Sequence, residues 1–365
     1  LLNFALLDIL LFTIVLYFKY QYFFDSIQHN NLFFSTKAKI HTIITLICMS
    51  GLMVFLSSKI RKIGLLFLDI LLTLHLYIDN LYFQQFHDVT SFSLLYMVNQ
   101  VGDIQEAIFQ SMQWKDIYYS LDIVIGAILW IALRKYLFSF KEKRSFNQIG
   151  ITYTLLFILF FSNLGVILAE TNGTDKRNSN INFSVFAGVI NFHLFDLYDF
   201  IYEQVQEPVL TDEIIKEIDD SFSKQDTSMM PYWSQMYGKN IVMVQMESMA
   251  GYLIDLKIDG KEVTPNLNQL AKENYYADSM VKQIEDGHTS DAEFVVLNSL
   301  YPLRNGSVYV SFSRNDYNAL PSILKKYGYT TVAFHGYRED FWNRKNIYPQ
   351  LGFDHSYFEK DFMKT

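Results

Sequence analysis

Apolar residues are distributed unevenly along this chain of 365 residues. The first 170 residues are dense in Leu, Ile and Phe, whereas residues 205–365 have the mixed pattern of a soluble domain. A bilayer core needs about 20 predominantly apolar residues per helix. Five stretches come close to that length: 1–18, 40–57, 63–83, 117–133 and 149–169. The pattern therefore predicts an N-terminal bundle of five transmembrane α-helices over residues 1–170.

The basic residues of the connecting loops predict the orientation of this bundle. The loops after the second and fourth spans carry more Lys and Arg than the first and third loops. The residues of the richer loops are Lys59, Arg61, Lys62, Arg134, Lys135, Lys141, Lys143 and Arg144. Loops rich in basic residues stay in the cytoplasm. We therefore expect a multi-pass protein of a bacterial cell membrane, with everything after residue 170 on the extracellular face.

Two carboxylates fall inside the predicted spans, Asp69 in the third and Asp122 in the fourth. Ionisable groups inside a bilayer are costly and often functional, so a transport role is one interpretation. The other is structural: Asp69 would pair with Arg61 or Lys62, and Asp122 would face the interface near its helix end. The structural interpretation is favoured.

Residues 171–235 predict a membrane-surface helix and a linker. The stretch 183–202 has apolar residues at three- and four-residue spacing, which is typical of an amphipathic helix lying on the membrane. An acidic stretch follows, with a short helix expected at 211–223. The soluble domain then occupies residues 236–365.

Two apolar runs in the soluble domain predict strands of a parallel sheet, at 240–246 and 329–334. Glu247 directly follows the first run and His335 the second. Ligands of open α/β sheets bind at the carboxyl ends of strands. We therefore expect Glu247 and His335 to contribute to one site.

A third segment predicts a helix N-terminus suited to phosphate. Ser290 and Glu293 have capping-box spacing, so a helix is expected to run from there to about Leu300. Thr289 precedes this cap, where free backbone N–H groups attract anions. A threonine hydroxyl needs a base or a metal to act as a nucleophile. A carboxylate such as Glu247, anchoring a cation, would supply that activation.

The composition excludes some functions. A formal net charge of −8 argues against a nucleic-acid partner, which requires a basic face. Cys48 is the single cysteine, so an intramolecular disulfide is excluded. The chain begins with Leu rather than Met, so we expect that its N-terminus has been trimmed.

Long motifs in residues 240–355 resemble the sulfatase-like, alkaline-phosphatase-type catalytic domain of lipoteichoic acid synthases and related phosphoglycerol transferases. The matching segments are IVMVQMES, EVTPNLNQL, HTSDAEFVVLNSLYPLRNGSVY and AFHGYREDFWNRKNIYPQLGFD. The arrangement of five membrane spans ahead of an extracellular domain also resembles that family. The family's domain continues past residue 365, so we expect only the N-terminal part of this α/β domain, without its remaining metal ligands.

The resemblance implies a role for each matching residue. Glu247 would ligate a divalent metal, Mn²⁺ first and Mg²⁺ second, and Thr289 would be the metal-bound nucleophile. His335 and Arg344 would contact the phosphoglycerol group, and Trp342 would shape that pocket. The implied reaction moves glycerol phosphate from phosphatidylglycerol, through a covalent threonine intermediate, to a glycolipid or polyglycerolphosphate acceptor. Diacylglycerol is released.

Two residues depart from the family pattern. His288 stands where a lysine usually precedes the threonine, and Tyr337 replaces a small polar residue. Both departures concern how the donor is bound and which acceptor is preferred. Several alternatives stay open: a lipoteichoic acid primase, a phosphoethanolamine-type transferase, an inactive membrane-anchored binding module, or a transporter fragment. A sulfatase would need Cys or Ser in place of Thr289.

Overall fold

The computed structural model describes residues 2–27, 34–137, 146–172, 179–205, 210–223, 237–281 and 283–362. The chain forms two compact units, Leu1–Val205 and Gln206–Thr365. The segment 183–202 thus belongs to the first unit, which extends beyond the predicted bundle boundary at residue 170.

The first unit is helical. Its α-helices are α1 (Leu2–Ser26), α2 (Thr36–Gly51), α3 (Ser58–Phe86), α4 (Gln105–Ser111), α5 (Leu121–Leu137), α6 (Phe146–Thr171), α7 (Asn180–Ala187) and α8 (Val189–Val205). Two 3₁₀ segments, Phe92–Ile104 and Trp114–Tyr119, flank α4. The core is formed where α1 packs against α2 and α3, with the rings of Phe24 and Phe34 stacked 4.4 Å apart.

Within the described residues, three helices are long and apolar enough to cross a membrane: Ala5–Ser26, Ser58–Phe86 and Gln148–Thr171. The second and fourth predicted spans coincide with α2 and α5, which have 16 and 17 residues. Both are shorter than the roughly 20 residues that span a bilayer core. The helical unit therefore has three candidate spans. Part of the predicted basic loop, with Lys141, Lys143 and Arg144, lies outside the described residues.

The outward faces of these helices are apolar. Phe67 on α3 is 66% exposed and Leu155 on α6 is 61% exposed. A helix facing water carries polar residues on that side. The exposed apolar faces are therefore suited to lipid.

Buried ion pairs hold α1, α3 and α5 together. The ammonium of Lys19 lies 2.8 Å from a carboxylate oxygen of Asp69 and 2.8 Å from one of Asp122. The predicted partners of Asp69 were wrong, because Arg61 instead pairs with Asp8 at 2.9 Å. The packing of α1 against α3 brings Lys19 across to Asp69. The carboxylates of Asp69 and Asp122 are thus both held by the ammonium of Lys19.

The predicted amphipathic helix at 183–202 is divided into α7 and α8 at Gly188. Its φ of +88° is accessible to glycine and strained for other residues. Phe183 and Phe192 are buried, and both helices pack against α2. The first part of this segment therefore contributes apolar residues to the core of the helical unit, whereas Ile201 near its end is exposed.

The second unit contains short helices and two small sheets. Its helices are α9 (Asp212–Ser223), α10 (Pro265–Glu273), α11 (His288–Asn298), α12 (Val308–Ser311), α13 (Leu320–Lys326), α14 (Arg344–Leu351) and α15 (Glu359–Phe362), with 3₁₀ turns at Gly251–Leu253 and Phe341–Asn343. Strands β1 (Lys257–Ile258) and β2 (Lys261–Glu262) are antiparallel, and β3 (Val332–Phe334) and β4 (His355–Tyr357) are parallel.

One of the two predicted strands of the second unit is confirmed. The run 329–334 contains β3, which pairs with β4 in the register Val332 to His355. The run 240–246 is not a strand, and Val242 and Val244 are 87% and 74% exposed. Among the described residues no strand pairs with it. An extended segment without a hydrogen-bonded neighbour gains none of the stability of a sheet, whatever its propensity.

Candidate functional site

The hydroxyl of Thr289 and the carboxylate of Glu247 lie together in the second unit. Thr289 Oγ1 donates a hydrogen bond of 2.9 Å to Glu247 Oε2. A second contact joins the same segments, since Gln245 Nε2 donates to the carbonyl of Thr289 at 3.2 Å. The sequence-predicted nucleophile and its predicted activating carboxylate are therefore adjacent.

The N-terminus of α11 differs from the predicted capping box. Gly287 is the N-cap, and Thr289 lies inside the first turn rather than ahead of it. The Ser290 hydroxyl donates to the Gly287 carbonyl at 2.7 Å. The amides of His288 and Ser290 donate to the preceding turn as well, at 3.0 and 2.9 Å. Several N–H groups that a phosphate was expected to meet are therefore engaged within the turn.

Asp291 holds the turn in place. Its Oδ2 accepts hydrogen bonds from the amides of Glu285 and Gly287, both at 3.0 Å. A Cβ on Gly287 would lie 2.0 Å from Asp291 Oδ1, so only glycine fits there. Burial raises the pKa of Asp291 to about 6, although the two amide hydrogen bonds oppose that shift. Sequence reasoning missed this residue, whose only signal was an acid in the first helical turn.

Glu293, the expected partner in the capping box, instead pairs with Arg344. Arg344 Nε donates to Glu293 Oε1 at 3.1 Å, and Nη2 donates to the same oxygen. Tyr348 Oη donates to Glu293 Oε2 at 3.2 Å. Arg344 is fully buried, and its Nη1 donates to the carbonyl of Phe341 at 3.2 Å. Burial alone would lower the pKa of Arg344, but the charge of Glu293 raises it above its usual value.

Trp342 lies in a tight corner just before Arg344. Trp342 and Asn343 have φ values of +54° and +55°, a conformation that costs energy in residues with a side chain. The corner turns the Trp342 ring into the protein, and Asn343 Nδ2 donates to the carbonyl of Tyr309 at 2.9 Å. The ring of Phe341 packs edge-on against Trp342. Packing of the surrounding aromatic residues thus stabilises the corner.

His335 follows β3 as predicted, and its amide donates to the carbonyl of Tyr357 at 2.9 Å. Its Nδ1 is buried without a hydrogen-bond partner among the described residues. Burial lowers the pKa of His335, and the positive charge of Arg344 lowers it further. Glu293 and Glu247 act in the opposite direction, so all of these charges lie within its electrostatic reach. Tyr337, two residues on, packs against Phe341 with ring centroids 5.3 Å apart.

The backbone is strained on both sides of the Thr289–Glu247 contact. Ser248, directly after Glu247, has φ +55°, and His288, directly before Thr289, has φ +41°. Neither is glycine, so each costs of order 1 kcal/mol or more and persists only where its surroundings impose it. Strain of this kind concentrates at functional sites, and no sequence pattern announces it.

A separate group of possible metal ligands lies in the first unit. His75, Asp79 and His193 each offer a ligand atom within 4.8 Å of the others. The first two are one turn apart on α3, and the third comes from α8. The sequence showed His75 and Asp79 only as polar interruptions of an apolar stretch.

Comparison with known families covers both units. The family described as lipoteichoic acid synthase N-terminal domain matches residues 1–208, and the sulfatase family matches residues 239–364. The chain belongs to the lipoteichoic acid synthase family. Its second unit is sulfatase-like, as the motifs around Thr289 predicted.

Members of the lipoteichoic acid synthase family with curated names show how much of such a protein this chain represents. It is 32% identical to lipoteichoic acid synthase 2 of Bacillus subtilis (strain 168), over 86% of this chain and 49% of that protein. Identity is also 32% with the lipoteichoic acid synthase of Staphylococcus aureus (strain USA300), over 79% of this chain and 45% of that protein. The chain therefore spans about half the length of the curated relatives it matches.

A solved structure from this family matches part of the chain. The crystal structure of the lipoteichoic acid synthase LtaP from Listeria monocytogenes has 31% sequence identity and a TM-score of 0.38. The match covers 40% of this chain and 36% of that one.

The sulfatase-like superfamily is metal-dependent, so the oxygen donors of the second unit are possible ligands of a metal ion. Glu247 and Thr289 offer two oxygen atoms 2.9 Å apart. Both are hard donors, the kind that Mg²⁺ and Mn²⁺ prefer. Glu247 is exposed, so water has access to it. These residues fit part of the shell of such an ion.

Proposed function

We propose that this protein is a membrane-bound phosphoglycerol transferase that uses Thr289 to carry glycerol phosphate. The donor is phosphatidylglycerol, and the acceptor is a growing polyglycerolphosphate chain or its glycolipid anchor. The observation that carries the proposal is the 2.9 Å hydrogen bond from Thr289 Oγ1 to Glu247 Oε2. It orients a hydroxyl that is a weak nucleophile by itself and gives its proton an acceptor.

The reaction has two displacements. In the first, Thr289 Oγ1 bonds to the phosphorus of phosphatidylglycerol, and the bond from phosphorus to the diacylglycerol oxygen breaks. The Thr289 proton passes to Glu247 Oε2, its hydrogen-bond acceptor, and from there to the departing diacylglycerol oxygen. In the second, a terminal glycerol hydroxyl of the acceptor attacks the phosphorus, and the bond to Thr289 breaks. Threonine regains its proton, and the acceptor is longer by one unit.

A divalent metal, Mn²⁺ first and Mg²⁺ second, belongs to the proposal. Glu247 and Thr289 would hold it. When bound, such an ion lowers the pKa of the nucleophile and neutralises charge on the phosphoryl group. The chain's own contribution is to fix these two oxygens against one another, through the turn at Asp291 and Gly287.

The other predicted residues contribute differently. His335 carries a lowered pKa, so it is neutral near pH 7 and can donate or accept a hydrogen bond with a substrate. We propose that Arg344 and Trp342 act by forming the wall of the pocket. Arg344 is buried and paired with Glu293, so it supports α11 rather than offering a free guanidinium to phosphate.

The proposed donor is a lipid, so a protein that uses it is expected to lie in the membrane. The helical unit has three candidate spans and apolar outer faces. We propose a multi-pass protein with five spans, in which α2 and α5 complete the bundle. The sulfatase-like unit then acts on the extracellular face, within reach of lipid headgroups.

The test is transfer from labelled phosphatidylglycerol in vesicles containing the protein and Mn²⁺. We expect diacylglycerol release and a glycerophosphate adduct on the peptide that contains Thr289. Thr289→Ala should abolish both. Ser290→Ala removes the neighbouring hydroxyl, which points into the turn, and should retain the adduct. Absence of release from the unaltered protein, or an adduct that survives Thr289→Ala, would contradict the proposal.

A further inference from the structure

The helical unit contains a compact group of ligand-type side chains that the proposed reaction does not use. His75 and Asp79 share one face of α3, and His193 reaches them from α8. His193 Nε2 lies 2.7 Å from Asp79 Oδ2. The rings of His75 and His193 are tilted against each other, with centroids 3.8 Å apart. Two imidazoles and a carboxylate therefore converge on one point.

The surroundings fix the carboxylate in this position. Asp79 is fully buried, and its Oδ1 accepts hydrogen bonds from the amide and the hydroxyl of Thr90, at 3.0 and 2.5 Å. These bonds hold one oxygen on Thr90 and direct the other towards the imidazoles. An oriented carboxylate of this kind is how proteins position a metal ligand.

His193 provides a second and independent observation. It is 93% buried, being 7% exposed, and its Nδ1 has no hydrogen-bond partner among the described residues. The nitrogen that faces Asp79 is Nε2, so an ion shared with that carboxylate would be bound through Nε2. A structural Asp–His hydrogen bond accounts for Nε2 of His193 but not for the close approach of the His75 ring.

We propose that His75, Asp79 and His193 bind a divalent transition-metal ion, with Zn²⁺ the best fit. Two imidazole nitrogens and one carboxylate oxygen suit Zn²⁺, whereas Mg²⁺ and Ca²⁺ prefer oxygen ligands throughout. Tetrahedral bonds of about 2.0–2.1 Å place ligand atoms roughly 3.3 Å apart. The present separations reach that value through side-chain rotations, in which the contact between His193 and Asp79 opens slightly.

The position of the ion gives it a structural role. Thr90 bonds to Asp79, and the next residues bond to α8: Ser91 Oγ and the Phe92 amide donate to Asp196, at 2.7 and 2.6 Å. The ion would therefore join α3 and α8 where the segment 90–92 already links them. It would be distinct from the ion expected at Glu247 and Thr289, because the ligands belong to a different unit of the chain.

The experiment measures metal binding by the purified protein in detergent. The protein would carry Glu247→Gln, so that the site in the second unit does not contribute. We expect Zn²⁺ to bind with a stoichiometry of one, in competition with a chromogenic chelator. Co²⁺ should give the intense visible absorption of a tetrahedral N/O site. Mg²⁺ at the same concentration should neither compete nor raise the thermal midpoint.

Three variants and a matched control separate a metal site from a hydrogen-bond network. Asp79→Asn and His193→Gln keep the size of the side chain and should abolish the Co²⁺ band. Thr90→Val keeps all three ligands and the amide bond to Asp79 but removes the hydroxyl bond, so affinity should fall about 10–100-fold. His41→Gln removes another buried imidazole of the same unit, bonded to Asn163 at 2.7 Å, and should bind as the parent does.

Retained helical circular dichroism identifies the variants that fold. The proposal is overturned if the parent binds no Zn²⁺, or if a folded Asp79→Asn variant binds it with unchanged affinity and Co²⁺ spectrum. Should both ligand variants fail to fold, Thr90→Val decides, and an affinity equal to that of the parent overturns the proposal. None of these outcomes depends on phosphoglycerol transfer.

Discussion

Arg344 is a fully buried charged residue whose partners all come from the protein. Its guanidinium is satisfied by Glu293 and by the Phe341 carbonyl. Because Glu293 lies one turn after Thr289 on α11, the ion pair also fixes the helix that carries the hydroxyl. A phosphate recognised by Arg344 would have to displace this pair.

We predict that Arg344→Met destabilises the second unit by about 3–5 kcal/mol, because it leaves the largely buried Glu293 carboxylate without its charged partner. Replacing both residues, as Arg344→Met with Glu293→Leu, should recover most of that loss. Urea unfolding followed by tryptophan fluorescence measures both. Equal midpoints for the unaltered protein and the single variant would show that Arg344 is not structural.

His335 predicts a pH dependence of stability. Its pKa is lowered in the folded protein, first by burial and then by Arg344. The neutral ring is therefore favoured by folding, so its contribution is present above the unfolded pKa of about 6.5 and is lost as pH falls through the folded pKa. We predict that His335→Gln loses less stability than the unaltered protein between pH 7.5 and pH 5.

Thermal midpoints at the two pH values measure this difference. His355→Gln removes an exposed imidazole of the same unit and should follow the unaltered protein. A His335→Gln variant that responds to pH as the unaltered protein does would contradict the assignment.

At the scale of elements, the corner between α7 and α8 depends on one glycine. Gly188 has φ +88°, and a Cβ there would lie 2.2 Å from Thr42 Oγ1 on α2. We predict that Gly188→Ala destabilises the helical unit by at least about 1–2 kcal/mol, because both the backbone and the contact with α2 are strained.

Gly165 provides the matched control for this prediction. It lies within α6, and a Cβ there meets no atom within 4 Å. Gly165→Ala should leave the helical unit unchanged or stabilise it by about 0.5–1 kcal/mol, as alanine does inside a helix. Thermal unfolding in detergent measures both variants, and an equal effect of the two substitutions would contradict the account of the corner.

The sequence predicted elements well where local pattern decides them. Apolar stretches located the helices, and the β-branched run before His335 located β3. Prediction from the sequence failed where residues distant in the chain determine the local structure. The capping box did not form because Glu293 pairs with Arg344, 51 residues further along. The run 240–246 has the composition of a strand but no neighbouring strand among the described residues.

The candidate site could be predicted in part, because some of its residues lie in local sequence motifs. Motifs identified Glu247 and Thr289, and the structure brings their side chains together. The strained backbone at Ser248 and His288 left no sequence signal. The cluster of His75, Asp79 and His193 in the helical unit left no sequence signal either, because His193 lies 114 residues after Asp79.

At the scale of the whole molecule, the proposed orientation can be tested with introduced cysteines. Cys48 is buried, so a Cys48→Ser background removes the native thiol. We predict that Asp212→Cys, exposed in the second unit, reacts with a membrane-impermeant maleimide in intact cells. Lys59→Cys, exposed at the start of α3, should react only after permeabilisation. The reverse pattern would contradict the proposed placement.

The exposed run 240–246 has a consequence for biogenesis. Among the described residues, Gln245 within the run and Glu247 directly after it bond to Thr289 of α11, which is 44 and 42 residues later in the chain. At a synthesis rate of about 5–20 residues per second, that gap lasts roughly 2–9 seconds. The strand-prone apolar segment is made before these contacts exist and stays exposed after they form, so it is open to chaperones, proteases and neighbouring chains throughout. The contacts with Thr289 therefore anchor this segment late in synthesis without covering it.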